Sequence, residues 1–406
     1  MKKMTFEEAK LVVQLEAPLH IGSGEPEAGS DSGIVRDFNG LPAIPGASLQ
    51  GVIRNSVPAL KADALFGKAG KDGRGGRLWV SWGAIHDSND NPVCSRMLPS
   101  ARDDDPVLRE ASRSLARDHV RLNRQGVADG RGKFDEISVS AGHRFTFQLR
   151  FETAGKERVR DWLYIQKTLR KGQIRLGGKT RRGFGRLRVC SLTVGPAACE
   201  IRLSRPATTC IELTPLEPWL FGGGSSEVAD ASPLRGSRIE WGAEGGMVVP
   251  VWIIPGASIK GVLRHRTLFH ACIQQRHFAD KQDPQGLAKA EAIVEGLFGS
   301  DGERPSAGRV NIDDVMIDCA DWKRTSIQQH VAINPFTAGA IPAALFNDHP
   351  LSKAGARDSI ELRIEVSGSK PPAFEMALSD LMEGRLPLGA YASRGYGAMK
   401  GSQKTV

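Results

Sequence analysis

Two glycine-rich segments hold the side chains best suited to grip an anion: LGGKTRRGFGRL (176–187) and LGAYASRGYGAM (388–399). Both keep Arg-Gly-aromatic-Gly, with Arg182 and Phe184 in one and Arg394 and Tyr396 in the other. Gly177, Gly178, Gly183 and Gly185, and again Gly389, Gly395 and Gly397, let a backbone approach a sugar-phosphate chain closely. Lys179, Arg181, Arg182 and Arg394 supply charge, and a ring beside them offers a base a stacking face. The plainer alternative is a turn before a final strand with the ring packed inward. The first segment almost spells a nucleotide-binding loop. From Gly172 to Gly178-Lys179-Thr180, however, the spacing is one residue too long, and the second copy lacks Lys-Thr. No nucleotide cofactor is expected.

A second pair of phrases points the same way. IPGASLQGVIR (44–54) returns as IPGASIKGVLR (254–264), identical at eight of eleven positions. A Pro-Gly turn followed by helical spacing delivers a helix N-terminus, whose free N–H groups and positive dipole end suit phosphate. Ser48 and Ser258 are the expected N-caps. Gln50 and Arg54 share one helix face, as do Lys260 and Arg264. Together these would line a phosphodiester cradle; the competing reading is a capped core helix after a tight turn.

These marks recur in one order. HVRLN (119–123) answers HVAIN (330–334), LFG occurs at 65–67 and 297–299, and GRLWVSWGAIHD (76–87) resembles GRVNIDDVMID (308–318). An ordered series of echoes is a duplication. It divides the chain near residue 205, giving expected domains 1–205 and 206–406. AKLVVQLE (9–16), RFTFQLRFE (144–152), CIELTPL (210–216) and IELRIEV (360–366) alternate as strands. Helices mixed with antiparallel strands make each half α+β, and a ferredoxin-like, β-α-β-β-α-β unit fits.

The 406 residues suit two domains, and 40% hydrophobic content gives each a core. Lys and Arg outnumber Asp and Glu by 55 to 46, a surplus that favours polyanionic partners. Six cysteines form no C-x-x-C pair, so neither zinc nor a disulfide framework is expected. The N-terminal MKKMTFEEAK has no apolar core after its lysines, and no apolar run reaches membrane-spanning length. A cytoplasmic protein without membrane attachment is expected.

Taken together, PLHIGSG…DSGIVRD…GLPAIPGASLQGVIR…LFG…GRL…HVRLNR…IRLGGKTRRGFG resembles the RAMP superfamily, the RNA-binding proteins of CRISPR effector complexes. The likeness is greatest to the backbone subunits of type III complexes. It covers nearly all of 11–190, and a looser copy covers 210–401, so the chain resembles a fusion of two such subunits. The resemblance implies a guide RNA, a complementary target RNA, and further backbone and large subunits as partners. It implies two tandem ferredoxin-like (RRM-like) palms, each with a glycine-rich loop and a β-hairpin thumb, at 125–139 and 336–352, that displaces a base pair of the guide–target duplex. It also implies an endoribonuclease whose catalytic residue is a loop aspartate. In DSGIVRD that residue is Asp31, with Gly33 where the family has Pro. In VADASPLRG it is Asp230, one residue early, with Ala231 inserted; about eleven extra residues also precede the second Ile-Pro-Gly. Asp37 would support the loop or pair with Arg36.

RNA carries its own nucleophile, the 2′-hydroxyl, so alignment supplies much of the rate. The aspartate would act as general base or hold Mg2+ or another divalent cation. His20 beside the loop is a proton donor or a buried structural histidine. His119 and His330 are packing or thumb-base residues. Three other functions compete: a guide-RNA scaffold that cuts nothing, an endoribonuclease processing precursor guide RNA, and a nucleotide-binding enzyme.

Overall fold

Alternation in the first apolar segment sends Ala9, Leu11, Val13 and Leu15 of the strand Phe6–Leu15 into the core. The computed structural model describes every residue except 1–5, 28–31, 69–72, 74, 114, 123–127, 154–155, 202–207, 225, 278–283, 301–304, 354–358 and 405–406. The boundary placed near 205 lies outside the described residues. Phe6–Leu15 sits between the antiparallel strands Arg144–Glu152 and Arg186–Val194, with Leu78–Val80 and Gln173–Arg175 beyond them. Phe145, Phe147, Leu149 and Phe151 join the same core. The helices Gly46–Asn55 and Lys156–Leu169 pack on it through Leu49, Ile53, Trp162 and Ile165. Trp162 stacks on Phe151, ring centres 5.3 Å apart. Each such buried side chain contributes about 1.5–3 kcal/mol.

The second half repeats this plan. Thr208–Pro215 lies between Ile360–Val366 and Met399–Lys404, with Val310–Ile312 at the edge. Helices Gly256–Gln274, Pro284–Phe298 and Pro372–Met382 bury Ile259, Leu263, Val294, Phe374 and Leu381 against that sheet. The mixed α+β character expected of each half is present.

Each half also carries a hairpin off its sheet: Leu115–Leu122 with Ala128–Ser138, and Gln328–Ile333 with Ala340–Asp348. These begin earlier than the expected thumbs. The HVRL and HVAI phrases form the first arms of the hairpins rather than preceding them.

The extra residues before the second Ile-Pro-Gly form a hairpin of their own, Arg235–Gly242 with Gly245–Ile254, and Val315–Asp318 pairs beside it. This hairpin clasps the first half. The Ile239 N–H donates to Ala141 O at 2.9 Å, and the Gly246 N–H to Ser88 O at 2.8 Å. Trp241 Nε1 donates to Gly142 O at 2.8 Å, with the Arg144 guanidinium 4.4 Å from its ring centre.

Candidate functional site

In the hairpin of the first half, His119 faces Phe134 across the strands, and their rings stack at 5.2 Å and 12°. The glycine loop closes over the other side: Arg182 lies 5.0 Å and Lys179 6.0 Å from the Phe134 ring centre, within cation–π range. Two residues further along the strand, and so on the same face, Glu136 is wholly buried. It is compensated by Lys179 Nζ at 2.5 Å and Arg182 Nη1 at 3.1 Å, with His119 Nε2 3.5 Å away. Burial lowers the His119 pKa, with Arg117 and Arg182 adding to the effect and Glu136 opposing it.

The second half builds the same arrangement from different residues. His330 pairs with Phe346 and stacks on it at 4.9 Å and 16°. Arg394 lies 4.2 Å from the Phe346 ring centre and 4.5 Å from that of Tyr391. Asp348, again wholly buried, lies 2.9 Å from His330 Nε2 and accepts a hydrogen bond from Tyr396 Oη at 3.2 Å. Burial and the Asp348 charge push the Tyr396 phenol up to about 12. The tip of this hairpin is an Asx turn in which Asn334 Oδ1 accepts the Phe336 and Thr337 N–H groups. The turn presents Phe336 almost fully to solvent, 95% exposed.

Glycine is required where each loop passes the segment that follows the first strand of its half. Gly177 (φ 89°) and Gly389 (φ 95°) are left-handed, and a Cβ there would meet the carbonyls of His20 and Leu220 at 2.5 and 2.4 Å. Phe184 is 1% exposed, which rules out a stacking role; it is a core residue with Arg117 above its ring. Gly183 abuts the Ile312 carbonyl of the second half, whereas a Cβ on Gly395 would meet open space. The first loop is thus packed into the junction between the halves, and the second loop is free at that position.

Asp31 lies outside the described residues. Its neighbour Ser32 reaches His20 Nε2 at 3.2 Å, and His20 Nδ1 lies 2.7 Å from Ile137 O. A carbonyl only accepts, so His20 Nδ1 is the donor to Ile137 O. His20 is therefore a buried strut between Ser32 and the strand Ala128–Ser138. Asp37 supports its turn by accepting the Asn39 and Leu41 N–H groups, while Arg36 pairs with Glu27 instead. Asp230 is exposed and clasped to the strand Ala340–Asp348. Its N–H donates to Asn347 Oδ1 and its Oδ2 accepts the Asn347 N–H, both at 2.8 Å.

The repeated Ile-Pro-Gly-Ala-Ser phrase does different work from the expected cradle. Pro45 and Pro255 occupy the N-cap positions, and neither Ser48 nor Ser258 caps through its side chain. Gly46 and Gly256 let the helix start touch the neighbouring strand; a Cβ would lie 2.2 Å from Val80 O or Ile312 O. The Gly256 N–H is already taken by Asp314 Oδ1 at 2.9 Å. Gln50 donates to Leu78 O, and Lys260 to the equivalent Val310 O. Arg54 and Arg264 both donate to the glycine carbonyl of the LFG phrase, Gly67 and Gly299. The duplicated helix is a structural joint, and these polar side chains hold it together.

Basic side chains of the first half also form the junction. Arg175 bridges Asp313 and Glu365 at 3.0 and 2.7 Å, and Arg186 reaches Asp313 at 2.8 Å. Arg117 pairs with Asp314, both buried. Arg181 donates to Asn311 Oδ1 at 3.1 Å, which ties this exposed side chain to the junction. Arg182 and Arg394 are exposed beside Phe134 and Phe346 of the two hairpins.

Sequence reasoning missed Phe134, Glu136, Phe346, Asn347 and Asp348. A signal was present: KFDEIS (133–138) and LFNDHP (345–350) place Phe-acid/amide-acid at matching points of the repeat. Among the described residues no helix is long and apolar enough to cross a membrane.

A curated relative, the CRISPR system Cms endoribonuclease Csm3 of Methanocaldococcus jannaschii, is 26% identical over 203 residues, covering 44% of this chain and 75% of the relative. Among solved structures, a chain of Type III-B Cmr-beta in the apo state aligns at 16% identity and a TM-score of 0.35, covering 45% of this chain and 96% of the other. A chain of Type III-B Cmr-beta bound to cognate target RNA aligns at 13% identity and a TM-score of 0.33, covering 47% and 60%. The RAMP superfamily model matches residues 12–188 and again 212–400. With both matches falling on the two repeated halves, the chain belongs to the RAMP superfamily.

Proposed function

We propose that this chain is a double backbone subunit of a type III CRISPR effector complex: it binds guide RNA along both halves and cuts complementary target RNA at Asp31 and Asp230. Each half is then a ferredoxin-like palm, in domains 1–205 and 206–406, and its partners are guide RNA, target RNA and further backbone and large subunits of a cytoplasmic complex. The observation that carries this reading is the meeting of three parts at one place in the second half. The Asp230 loop is hydrogen-bonded to the thumb strand at Asn347, and the next residue, Asp348, ties that strand to Tyr396 of the glycine loop. The relative named as an endoribonuclease supports the catalytic part.

The geometry supports a division of labour. Arg182 and Arg394, exposed on aromatic rings, face the guide backbone; Phe336 at the hairpin tip enters the guide–target duplex and unstacks one step. The freed target nucleotide meets Asp230. Asp230 Oδ1 has no partner among the described residues and fits a divalent cation, which uses one or two carboxylates with phosphate oxygens. A bound Mg2+ would neutralise charge at the scissile phosphate. Without a metal in that role, the same oxygen accepts the 2′-hydroxyl proton. A scaffold reading of the second half has one observation in its favour, since Oδ2 of Asp230 is engaged by the Asn347 N–H.

Nuclease footprinting of guide RNA in the reconstituted complex tests the binding claim. Two adjacent protected segments, one weakened by Arg182→Ala and the other by Arg394→Ala, are expected. A single protected segment, or protection indifferent to both substitutions, contradicts it.

A further inference from the structure

We propose that Asn347 is the positioning residue for Asp230, so that the thumb strand sets the cutting geometry of the second half. This rests on reading Asp230 as the cutting residue. The two residues exchange two hydrogen bonds, Asp230 N–H to Asn347 Oδ1 and Asn347 N–H to Asp230 Oδ2, each 2.8 Å. The exchange closes a ring that fixes both the backbone at 230 and the orientation of the carboxylate. The loop then follows the strand. The Ala231 N–H donates to Asn347 O at 3.3 Å, the His349 N–H donates to Ala231 O at 3.0 Å, and Ala231 bridges Asp348 in parallel.

This pairing accounts for Ala231, the residue by which Asp230 stands early in the sequence. Ala231 supplies the backbone pairing to the thumb strand, and Asn347 returns Asp230 to a fixed place beside that strand. The strand itself is anchored one residue on, where buried Asp348 meets His330 and Tyr396. By strand register the first hairpin has Asp135 in the place of Asn347.

The test uses the reconstituted complex with guide RNA and end-labelled target, comparing Asn347→Ala, Asn347→Asp and Asp230→Ala. Asn347→Ala removes the acceptor for the Asp230 N–H but keeps the backbone donor; Asn347→Asp keeps both. The expected result is a fall in kcat for the second cut of about tenfold to a hundredfold in Asn347→Ala. KM, guide affinity and the first cut should stay unchanged, and Asn347→Asp should restore most of the rate. An unchanged kcat in Asn347→Ala while Asp230→Ala abolishes the cut overturns the positioning role and leaves the reading of Asp230 standing. Equal losses in both Asn347 variants, or a loss carried by KM or guide affinity, show a merely structural tie and also overturn it. If Asp230→Ala leaves the second cut intact, the reading of Asp230 fails and the proposal fails with it.

Discussion

Lys260 of the second half ends on the backbone carbonyl of Arg181 in the first, 3.0 Å away. Its ammonium also reaches Val310 O at 3.1 Å, as Gln50 reaches Leu78 O in the first repeat. One position in the repeat thus holds its own half together in both copies, and in the second copy a longer, charged side chain also joins the two halves.

Lys260→Gln should keep the bond to Val310 O and lose the one to Arg181 O, costing about 1 kcal/mol. Burial, with Arg181, Arg264 and Arg182 adding to it, lowers the Lys260 pKa to about 8 from 10.5. Between those values the unfolded chain holds a proton that the folded one has released. Wild-type stability should therefore gain a contribution as pH rises from about 8 to 10.5, and Lys260→Gln should lose that gain. Denaturant melts at pH 7.5 and 10 check both effects.

His143 gives the opposite end of the pH scale. Its ring is wholly buried, neither nitrogen has a hydrogen-bond partner among the described residues, and burial brings its pKa down to about 3. The unfolded chain binds this proton first, so stability is lost as pH falls from about 6.5 toward 3. His143→Leu should flatten that part of the Tm–pH curve. An unchanged acid slope in the variant contradicts the assignment.

The Gly256–Gln274 and Pro372–Met382 helices are joined at Asp380, which accepts from His270 at 2.6 Å, Arg385 at 2.8 Å and also Arg266. Burial opposes ionisation, but these three partners hold the carboxyl down at about 2. Asp380→Ala leaves the buried His270 facing an empty place and should cost about 3 kcal/mol, measured by urea melts at pH 7. The wild-type contribution is present above pH 4 and is lost as pH falls toward 2.

Phe336 makes a cleaner functional probe, because it is 95% exposed and its removal should change stability by less than about 0.5 kcal/mol. Phe336→Ala should suppress unstacking of a 2-aminopurine placed in the target opposite the second thumb, and should slow the second cut while leaving guide binding unchanged.

The duplication and the α+β character could be read from the chain, because periodicity and ordered echoes survive in one dimension; the hairpins of each half are expected from the family resemblance, and the histidine phrases form their first arms. The role of the duplicated helix could not. Arg54 and Arg264 have the spacing of phosphate ligands, yet both bond the LFG glycine carbonyl, a partner brought close only by the fold. The same holds for Arg175 and Arg186, whose charge is matched by Asp313 and Glu365, and for Arg181, which donates to Asn311; these partners lie across the junction, more than 120 residues away in sequence. Phe184 and Tyr396 occupy the same letter of the repeat but differ in burial, because Phe184 has Arg117 above its ring and Tyr396 turns its hydroxyl to Asp348.

The most direct test is the cleavage pattern of end-labelled complementary RNA by the complex reconstituted with guide RNA and Mg2+, comparing wild type with Asp31→Ala and Asp230→Ala. The account predicts that each substitution erases its own band and leaves the other band and guide affinity unchanged. If both bands survive both substitutions, the chain holds guide RNA without cutting, and the cleavage half of the account is wrong.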